Sequence, residues 1–407
     1  MNPNPLAIPL IAPEPVILQP GFRPIPQTST DGASGRGPDS LVWSFGKHCA
    51  ELDGVRGIAI LLVTLYRFSK EWDPSAHWVL GISRTYCEFG QRGVDLFFVL
   101  SGFLITGILL QTKSSPGYFK NFMVRRALRI FPLYFTALAV CLFVLPQFLA
   151  TNSFDLPRSN QAFLWTYTSN IYMAWTNTWC FGPLDHFWSL AVEEHFYLVW
   201  PAIVFCLSPK ALIRFSLLMV FVVSVARAAF ALKPEYALAI DTLSLFRCDA
   251  LMLGAVLAVA MKHGLSEAYV TAISRYALPV LAVGCLVVVA VGSRWLGFTH
   301  TLFGFFWVAL LAVAVTRSRS HWMSRCLRSP RLQWLGKYSY GMYVIQLPLV
   351  TLLPLSWVAS QTTSVGISSL SLSLVYVIAL FAATSALAFA SYHLLEKPFL
   401  NMKRWFT

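Results

Sequence analysis

The chain has 407 residues, of which 57% are hydrophobic and only 12% are charged. A soluble domain of this length cannot bury so much apolar surface, so the composition predicts an all-α integral membrane protein. The net charge of +13 indicates cytoplasmic loops rich in Lys and Arg rather than nucleic-acid binding. The 8 Cys form no CxxC pair and no cluster with His, so we predict neither a metal site nor a disulfide framework.

Residues 1–45 differ in composition from the rest of the chain. Proline recurs from Pro3 to Pro38 and hydrophobic periodicity is nearly absent, which predicts a disordered, proline-rich cytoplasmic tail. The prolines interrupt the apolar run and no basic region precedes it, so a secretory signal peptide is not expected. Residues 46–400 are predicted to form one transmembrane domain.

Long apolar stretches in this domain predict a bundle of about ten transmembrane helices. The predicted spans cover residues 54–68, 94–111, 130–150, 187–207, 212–232, 246–261, 276–293, 297–316, 338–358 and 369–393. The charge-free stretch from Tyr338 to Leu395 is too long for one helix, and the polar residues 360–364 divide it. The apolar segment from Phe163 to Met173 is short, and we predict that it is re-entrant or external.

Basic residues are distributed unequally between the loops that these spans define. Loops of one parity hold most of the Lys and Arg, including those between Lys113 and Arg129 and those between Arg317 and Lys337. Because cytoplasmic loops carry this excess, the distribution predicts that both termini are cytoplasmic. That orientation requires an even number of spans, with which ten is consistent.

Ionisable residues inside the spans are costly in a bilayer, so each is a candidate functional group. Arg56 and Arg67 are eleven residues apart in the first span, which places them on one helical face about 16 Å apart along the axis. We predict catalytic roles for both, although two arginines that extend to opposite interfaces would show the same pattern. Asp95 and Ser101 in the second span are candidates for substrate binding, with a helix cap and a close helix contact as the simpler explanations.

Two further groups of charges lie near the ends of spans. Arg126 and Arg129 are one helical turn apart, so their guanidinium groups share a face at the cytoplasmic boundary. Such a pair suits a phosphate group, and anchoring at the membrane surface explains it about as well. Arg247 and Asp249, at the start of the sixth span, are predicted to form an internal ion pair.

A cluster of carboxylates and histidines lies at the start of the fourth predicted span. It contains, in order, His186, Trp188, Ser189, Glu193, Glu194 and His195. Burying two adjacent carboxylates is costly unless they are paired, so a purely structural role explains the cluster poorly. We predict catalytic roles for His186, Glu193 and Glu194, and substrate-binding roles for Trp188 and Ser189.

Seven motifs resemble, in the same order, the signature of the acyltransferase-3 family. They are Glu51–Ala59, Gly93–Ile105, Arg125–Pro132, Trp188–Glu194, Arg247–Leu251, Ser339–Tyr343 and Glu396–Pro398, and the resemblance extends from residue 47 to the C-terminus. It implies an enzyme of the cell membrane that transfers an acyl group, commonly acetyl from acetyl-CoA, to a hydroxyl of a carbohydrate or glycolipid at the cell surface. It also implies that no cofactor is bound, that acyl-CoA is a co-substrate, and that membrane lipids and the acceptor are the other partners.

The resemblance gives roles to individual residues. Arg56, Arg126 and Arg129 would hold the CoA phosphates while a general base removes the proton of the acceptor hydroxyl. Members of the family usually have a histidine eleven residues after the first-span arginine, and this histidine looks like their catalytic base. Arg67 occupies that position here, and Gln346 occupies the position of a second histidine. A guanidinium is not an ordinary base at neutral pH.

Three explanations for Arg67 follow. His186, His195 or His77 supplies the base, or Arg67 stabilises the oxyanion of the tetrahedral intermediate, or the chain binds acyl-CoA, lipid or glycan without transferring anything. A transporter of the same fold is a further alternative, which the lack of a convincing internal repeat disfavours. The acceptor, the acyl chain length and the oligomeric state do not follow from the sequence.

Overall fold

The computed structural model describes residues 40–41, 45, 48–148, 152–291, 297–316, 321–362 and 368–406. The predicted disordered tail, residues 1–45, lies almost entirely outside the described residues, so that prediction stays a prediction. Two short strands, β1 (Ser40–Leu41) and β2 (Leu265–Ser266), pair antiparallel. The remaining regular structure in the described ranges is helical.

The first half of the chain forms helices that are joined by short loops. They are α1 (Ala50–Ser69), α2 (Trp78–Cys87), α3 (Gly93–Thr112), α4 (Tyr118–Ala139), α5 (Leu145–Phe148), α6 (Asp155–Ser159), α7 (Gln161–Trp165), α8 (Ser169–Thr176), α9 (Trp188–Cys206) and α10 (Pro209–Phe230). A 3-10 helix, Glu88–Arg92, joins α2 to α3, and another, Gly182–Phe187, leads into α9. The segment expected to be re-entrant or external forms parts of α7 and α8, which are 5 and 8 residues long and too short to cross a bilayer.

The second half continues in the same way. Its helices are α11 (Ala237–Thr242), α12 (Ser244–His263), α13 (Glu267–Ala272), α14 (Leu278–Val291), α15 (Thr299–Thr316), α16 (Trp322–Leu327), α17 (Pro330–Leu352), α18 (Leu355–Thr362), α19 (Ser369–Ser391) and α20 (Lys397–Asn401). Single π-helical turns at Val140–Val144, Ile273–Ala277 and Tyr392–Glu396 connect α4 to α5, α13 to α14, and α19 to α20.

Several of these helices are long and apolar enough to cross a membrane. Eight such stretches occur in the described ranges, and a ninth is formed if α17 and the start of α18, which meet at 46°, are counted together. The eight are Trp78–Thr112, Tyr118–Phe148, Gly182–Cys206, Pro209–Phe230, Pro234–His263, Glu267–Ala290, Thr299–Thr316 and Ser369–Trp405. The chain is therefore a multi-pass, all-α membrane protein, as predicted.

The first predicted span corresponds to α1, which carries charges near both of its ends. It has 20 residues and includes Glu51, Asp53, Arg56 and Arg67, yet more than half of its residues are buried in the bundle. It packs along α17 in parallel orientation, because Thr64 contacts Gln346 in the C-terminal half of both helices and the Glu71 side chain accepts from the Leu355 amide beyond their ends.

Parallel orientation requires an odd number of crossings between α1 and α17 if both span the membrane. Of the eight apolar stretches in the described ranges, all except the last lie between α1 and α17 in the sequence. Seven stretches therefore separate the two helices, and seven is an odd number. The arrangement is the one that ten crossings require, while the count of ten and the cytoplasmic termini stay predictions.

Glycines allow the central helices to touch through their backbones. A Cβ atom at Gly336 of α17 would lie 1.9 Å from the Asp53 carbonyl oxygen of α1, and one at Gly57 of α1 would lie 2.2 Å from the Leu332 oxygen. A Cβ atom at Gly102 of α3 would lie 2.0 Å from the Leu251 oxygen of α12. The close helix contact considered for Ser101–Gly102 is therefore present, and it is made by the glycine.

Candidate functional site

A cavity lies among α1, α3, α4, α9 and α17, with about 890 Å³ of space between atoms when the adjoining open space is included. Its polar lining consists of Arg56, Ser101, Arg126, Arg129, Ser189, Glu193, Glu194, Tyr197, Ser339, Tyr340 and Tyr343. The first seven of these were predicted from the sequence as site residues. The remaining lining is apolar and comes mainly from α3.

Positive charge is concentrated at one end of the cavity. Arg126 and Arg129 form no ion pair in the part of the chain that the structure describes, whereas Arg56 Nη1 lies 3.2 Å from Asp53 Oδ1. The Arg126 guanidinium lies over the Tyr197 ring, 5.6 Å from its centroid. Because the helical turn from Arg126 to Arg129 aims both side chains inward from α4, this end of the cavity suits a ligand with several negative charges.

The two adjacent carboxylates of α9 have different surroundings. Glu193 Oε1 accepts a hydrogen bond from Ser101 Oγ at 3.0 Å, and its Oε2 accepts one from the Tyr197 hydroxyl at 2.7 Å. Glu194 Oε1 is buried and has no hydrogen-bond partner among the described residues. Glu193 is therefore held in place by hydroxyl groups, while Glu194 is free to accept a proton from a ligand.

Two hydroxyl groups meet where α9 and α17 face each other. Ser189 Oγ and the Tyr343 hydroxyl are 2.5 Å apart, and they lie 3.1 and 3.0 Å from the carbonyl oxygen of His186. The His186 ring is fully buried and is not part of the cavity lining. Its Nε2 lies 3.3 Å from the Val344 carbonyl oxygen, and its Nδ1 has no partner within the described ranges.

Arg67 lies next to this hydroxyl pair rather than in the cavity lining. Its guanidinium lies close to Tyr343, His186 and Asp185. Its Nε is buried without a hydrogen-bond partner in the described ranges, and no carboxylate there is close enough for an ion pair. Arg56 therefore lines the cavity, whereas Arg67 lies beyond the lining.

The comparison with protein families decides what kind of domain contains this cavity. Residues 50–393 match a family described as an acyltransferase domain. The chain belongs to the acyltransferase-3 family. No solved structure matches the chain.

Three similar proteins have O-acetyltransferase in their names. Peptidoglycan O-acetyltransferase OatA of Listeria monocytogenes is 28% identical over 334 residues, which are 75% of this chain and 50% of that protein. O-acetyltransferase OatA of Staphylococcus aureus strain NCTC 8325 is 25% identical over 365 residues, 85% of this chain and 56% of that protein. A putative O-acetyltransferase of S. aureus strain COL is 25% identical over 370 residues, with coverage of 86% and 56%. The chain thus spans about half the length of these curated relatives.

Two residues predicted to bind substrate lie outside the cavity of this acyltransferase-3 protein. The Asp95 carboxylate accepts a hydrogen bond from Arg247 and lies 3.6 Å from Arg92 Nη1. The Trp188 ring meets Phe98 edge to face, with centroids 6.2 Å apart, and Arg247 lies over it at 5.5 Å. Both side chains are occupied by buried contacts, so the structure does not support a role in substrate binding. Asp95 does not cap α3 either.

The predicted ion pair between Arg247 and Asp249 is wrong. Arg247 pairs with Asp95 of α3, whereas Asp249 Oδ2 lies 2.5 Å from Arg227 Nη2 of α10. Residues two positions apart on a helix point in different directions, so they bind partners on different helices. We call the buried cluster of Asp95, Arg227, Arg247, Asp249 and His300 the ion-pair network.

Two alternative candidates for a catalytic base are also occupied elsewhere. His195 Nδ1 lies 2.6 Å from Ser244 Oγ, and His77 Nδ1 accepts from the Val79 amide at the start of α2. Tyr197 and Tyr343 were not predicted as site residues, although Tyr197 follows Glu193 by one helical turn and Tyr343 belongs to the Ser339–Tyr343 motif. Their positions in the sequence could have indicated the site, but tyrosines in an apolar helix are commonly packing residues.

Proposed function

We propose that this protein transfers an acyl group, in particular acetyl, from acyl-CoA to a hydroxyl of a carbohydrate or glycolipid acceptor inside the membrane domain. One observation carries the proposal: within the described residues, one cavity contains Arg126 and Arg129, which form no ion pair, and Glu194, whose Oε1 has no hydrogen-bond partner. The names of the relatives, peptidoglycan O-acetyltransferase and O-acetyltransferase, support acetyl as the group and a carbohydrate as the acceptor.

The donor is expected to bind with its phosphates at the positive end of the cavity. Arg126 and Arg129 offer two planar guanidinium groups that bind phosphate through paired hydrogen bonds, and Arg56 adds a third. The apolar wall of α3, which includes Phe97, Leu104 and other side chains, suits the uncharged arm of the thioester.

The reaction is a direct transfer from sulfur to oxygen. Glu194 accepts the proton of the acceptor hydroxyl as its oxygen attacks the thioester carbonyl carbon. The Ser189 and Tyr343 hydroxyls donate to the His186 carbonyl oxygen in the structure, and rotation of either O–H bond would redirect it to the oxyanion that develops. The carbon–sulfur bond then breaks, and the CoA thiolate takes the proton from Glu194, which leaves an ester and free CoA thiol.

A matched pair of variants tests the proposal. Purified protein in lipid nanodiscs is mixed with acetyl-CoA and a carbohydrate acceptor, and both thiol release and ester formation are measured. Glu194→Gln should lower the rate about 100-fold or more, because general-base catalysis contributes roughly 10²–10⁴-fold. Glu235→Gln should retain the wild-type rate, since Glu235 is exposed and outside the cavity. Equal rates for both variants would exclude Glu194 as the base.

Arg67 favours a second candidate function, which is binding of acyl-CoA without transfer. Its position is the one at which the family usually has a histidine base, and a guanidinium cannot take that role. This alternative predicts that the wild type binds acetyl-CoA, releases no thiol, and gains transfer activity on Arg67→His. Transfer by the wild type rules it out.

A further inference from the structure

Two buried hydrogen-bond donors that have no partner among the described residues lie on neighbouring helices. They are Nε of Arg67 on α1 and Nε2 of Gln346 on α17, and Gln346 is 0% exposed. Thr64 Oγ1 donates to Gln346 Oε1 at 3.2 Å, so the Gln346 amide is oriented by α1 and its NH₂ group remains available. Arg67 follows Thr64 by one turn and Gln346 follows Tyr343 by one turn, which puts both donors on the facing sides of parallel helices.

A folded protein rarely keeps such groups unsatisfied. Burying a donor without a partner costs about 1–3 kcal/mol, and an unpaired charge costs more. In Glu193, by contrast, both carboxylate oxygens accept hydrogen bonds from hydroxyl groups of the protein. The two free donors therefore point to a ligand that supplies acceptor atoms.

The charges around Arg67 indicate the sign of that ligand. Lys70, one turn further along α1, is a second cation, and its Nζ lies 4.6 Å from the Tyr66 ring centroid. Asp185 is an acidic group in this region, and its Oδ1 accepts from the Phe181 amide at 2.8 Å rather than pairing with Arg67. Glu71, one turn after Arg67, is a second carboxylate, and it accepts from the Leu355 amide. Neither carboxylate is ion-paired with Arg67 among the described residues, so the guanidinium is open to an anionic group of a ligand.

The position of Arg67 separates this anion from the donor phosphates. Arg67 is about 16 Å along α1 from Arg56, and it lies beside Tyr343, which lines the cavity. We propose that Arg67 and Gln346 bind a carboxylate or phosphate group of the acceptor, so that the acceptor is an anionic carbohydrate or glycolipid. This inference rests on the proposed function, because it assigns the region next to Tyr343, beyond the cavity lining, to the charged group of the acceptor.

Three sugars that differ in charge test the inference by equilibrium binding. The probes are N-acetylmuramic acid, which carries a carboxylate, N-acetylglucosamine 1-phosphate, and neutral N-acetylglucosamine. Saturating CoA fills the donor end during the titrations. For the wild type we expect at least one anionic probe to bind about tenfold or more tightly than the neutral one, the effect of one charge-assisted contact. Preference for the carboxylate or for the phosphate identifies the chemical source of the charge.

Variants locate the anion preference within the chain. Arg67→Gln should abolish it, Arg67→Lys should retain part of it, and Gln346→Leu should weaken it severalfold, with all three variants as stable to heat as the wild type within a few degrees. Arg158→Gln, at an exposed position outside the cavity, should leave the preference unchanged. Equal affinity for all three probes, or a preference that survives Arg67→Gln, would overturn the proposal.

Kinetics separates acceptor binding from stabilisation of the oxyanion. With an anionic acceptor, Arg67→Gln should raise KM about tenfold and change kcat less than about twofold, because the contact exists in the ground state as well as in the transition state. A lower kcat with unchanged KM would assign Arg67 to the oxyanion and exclude acceptor recognition. If no acyl transfer occurs but the binding preference follows Arg67, the proposed function fails while the anion site stands.

Discussion

The membrane domain contains two groups of charged side chains that differ in whether they form ion pairs within the protein. In the ion-pair network, Asp95 is paired with Arg247, and Asp249 is paired with Arg227 at 2.5 Å. In the cavity, no ion pair is formed by Glu194, Arg126 or Arg129 among the described residues. A search of the sequence for charged residues in apolar helices identifies both groups as candidate functional residues and does not distinguish them.

The difference between them is informative about function. A charge in a bilayer has to be neutralised, and in the ion-pair network another helix supplies the opposite charge. In the cavity the opposite charge would come from a ligand, so the cavity is available for binding. The ion-pair network instead stabilises the positions of α3, α10, α12 and α15. Pairing, rather than the presence of charge, distinguishes a candidate site from a structural contact.

The largest expected effect is loss of stability when one partner of the ion-pair network is removed. Arg227→Met leaves the Asp249 carboxylate buried without its cation, which should lower the free energy of unfolding by about 3–5 kcal/mol. Thermal and denaturant unfolding in detergent would measure the change. Arg214→Met is the control, because Arg214 lies exposed on the same helix.

The double variant Arg227→Met/Asp249→Leu should recover most of this loss, since it removes both charges. If the single variant is as stable as the wild type, the network does not hold the helices and the contrast with the cavity fails.

A smaller effect is expected for donor binding at the cavity. Arg126→Gln combined with Arg129→Gln should raise KM for acetyl-CoA about 100-fold, roughly tenfold for each lost charge-assisted contact. The stability should change little, because neither arginine has an ion-pair partner to leave behind. Initial rates at varied acetyl-CoA provide the measurement, with Arg214→Gln as the matched control; an unchanged KM would place the donor phosphates elsewhere.

The smallest effect concerns the stability of the cavity itself. Glu194→Gln removes a buried carboxylate that has no hydrogen-bond partner, so the free energy of unfolding should stay constant or rise by about 1 kcal/mol while activity falls. Unfolding of this variant is compared with Asp249→Asn, which should be destabilised because Asp249 is paired. A destabilised Glu194→Gln would show that Glu194 has a structural role.

Much of the fold was predictable because spans are defined by local hydrophobicity. The predicted spans match observed helices in order, but the helix that contains the third span begins at Tyr118, well before residue 130. Arg126 and Arg129 lie in that extension. The extension was not predicted, because a search for apolar runs leaves out helical turns that contain several charges. Helix formation there depends on backbone hydrogen bonds and not on apolar composition.

The site was predictable where one helix contains the relevant spacing. Arg126 with Arg129 and Glu193 with Glu194 reached the cavity as expected, because their positions follow from a single helix. Pairing between helices was not predictable: the partners of Asp95 and Asp249 are 152 and 22 residues away. Motif residues such as Trp188 therefore proved to be packed against that network instead of the cavity.

The backbone contact between α1 and α17 has a consequence for how substrates enter. At Gly57 and Gly336 the two helices are too close for even a methyl group between them. A sugar ring or a lipid chain cannot pass through the wall at these contacts. Any lateral route from the bilayer to the cavity therefore avoids these contacts and passes elsewhere along the wall formed by α1, α3, α4, α9 and α17.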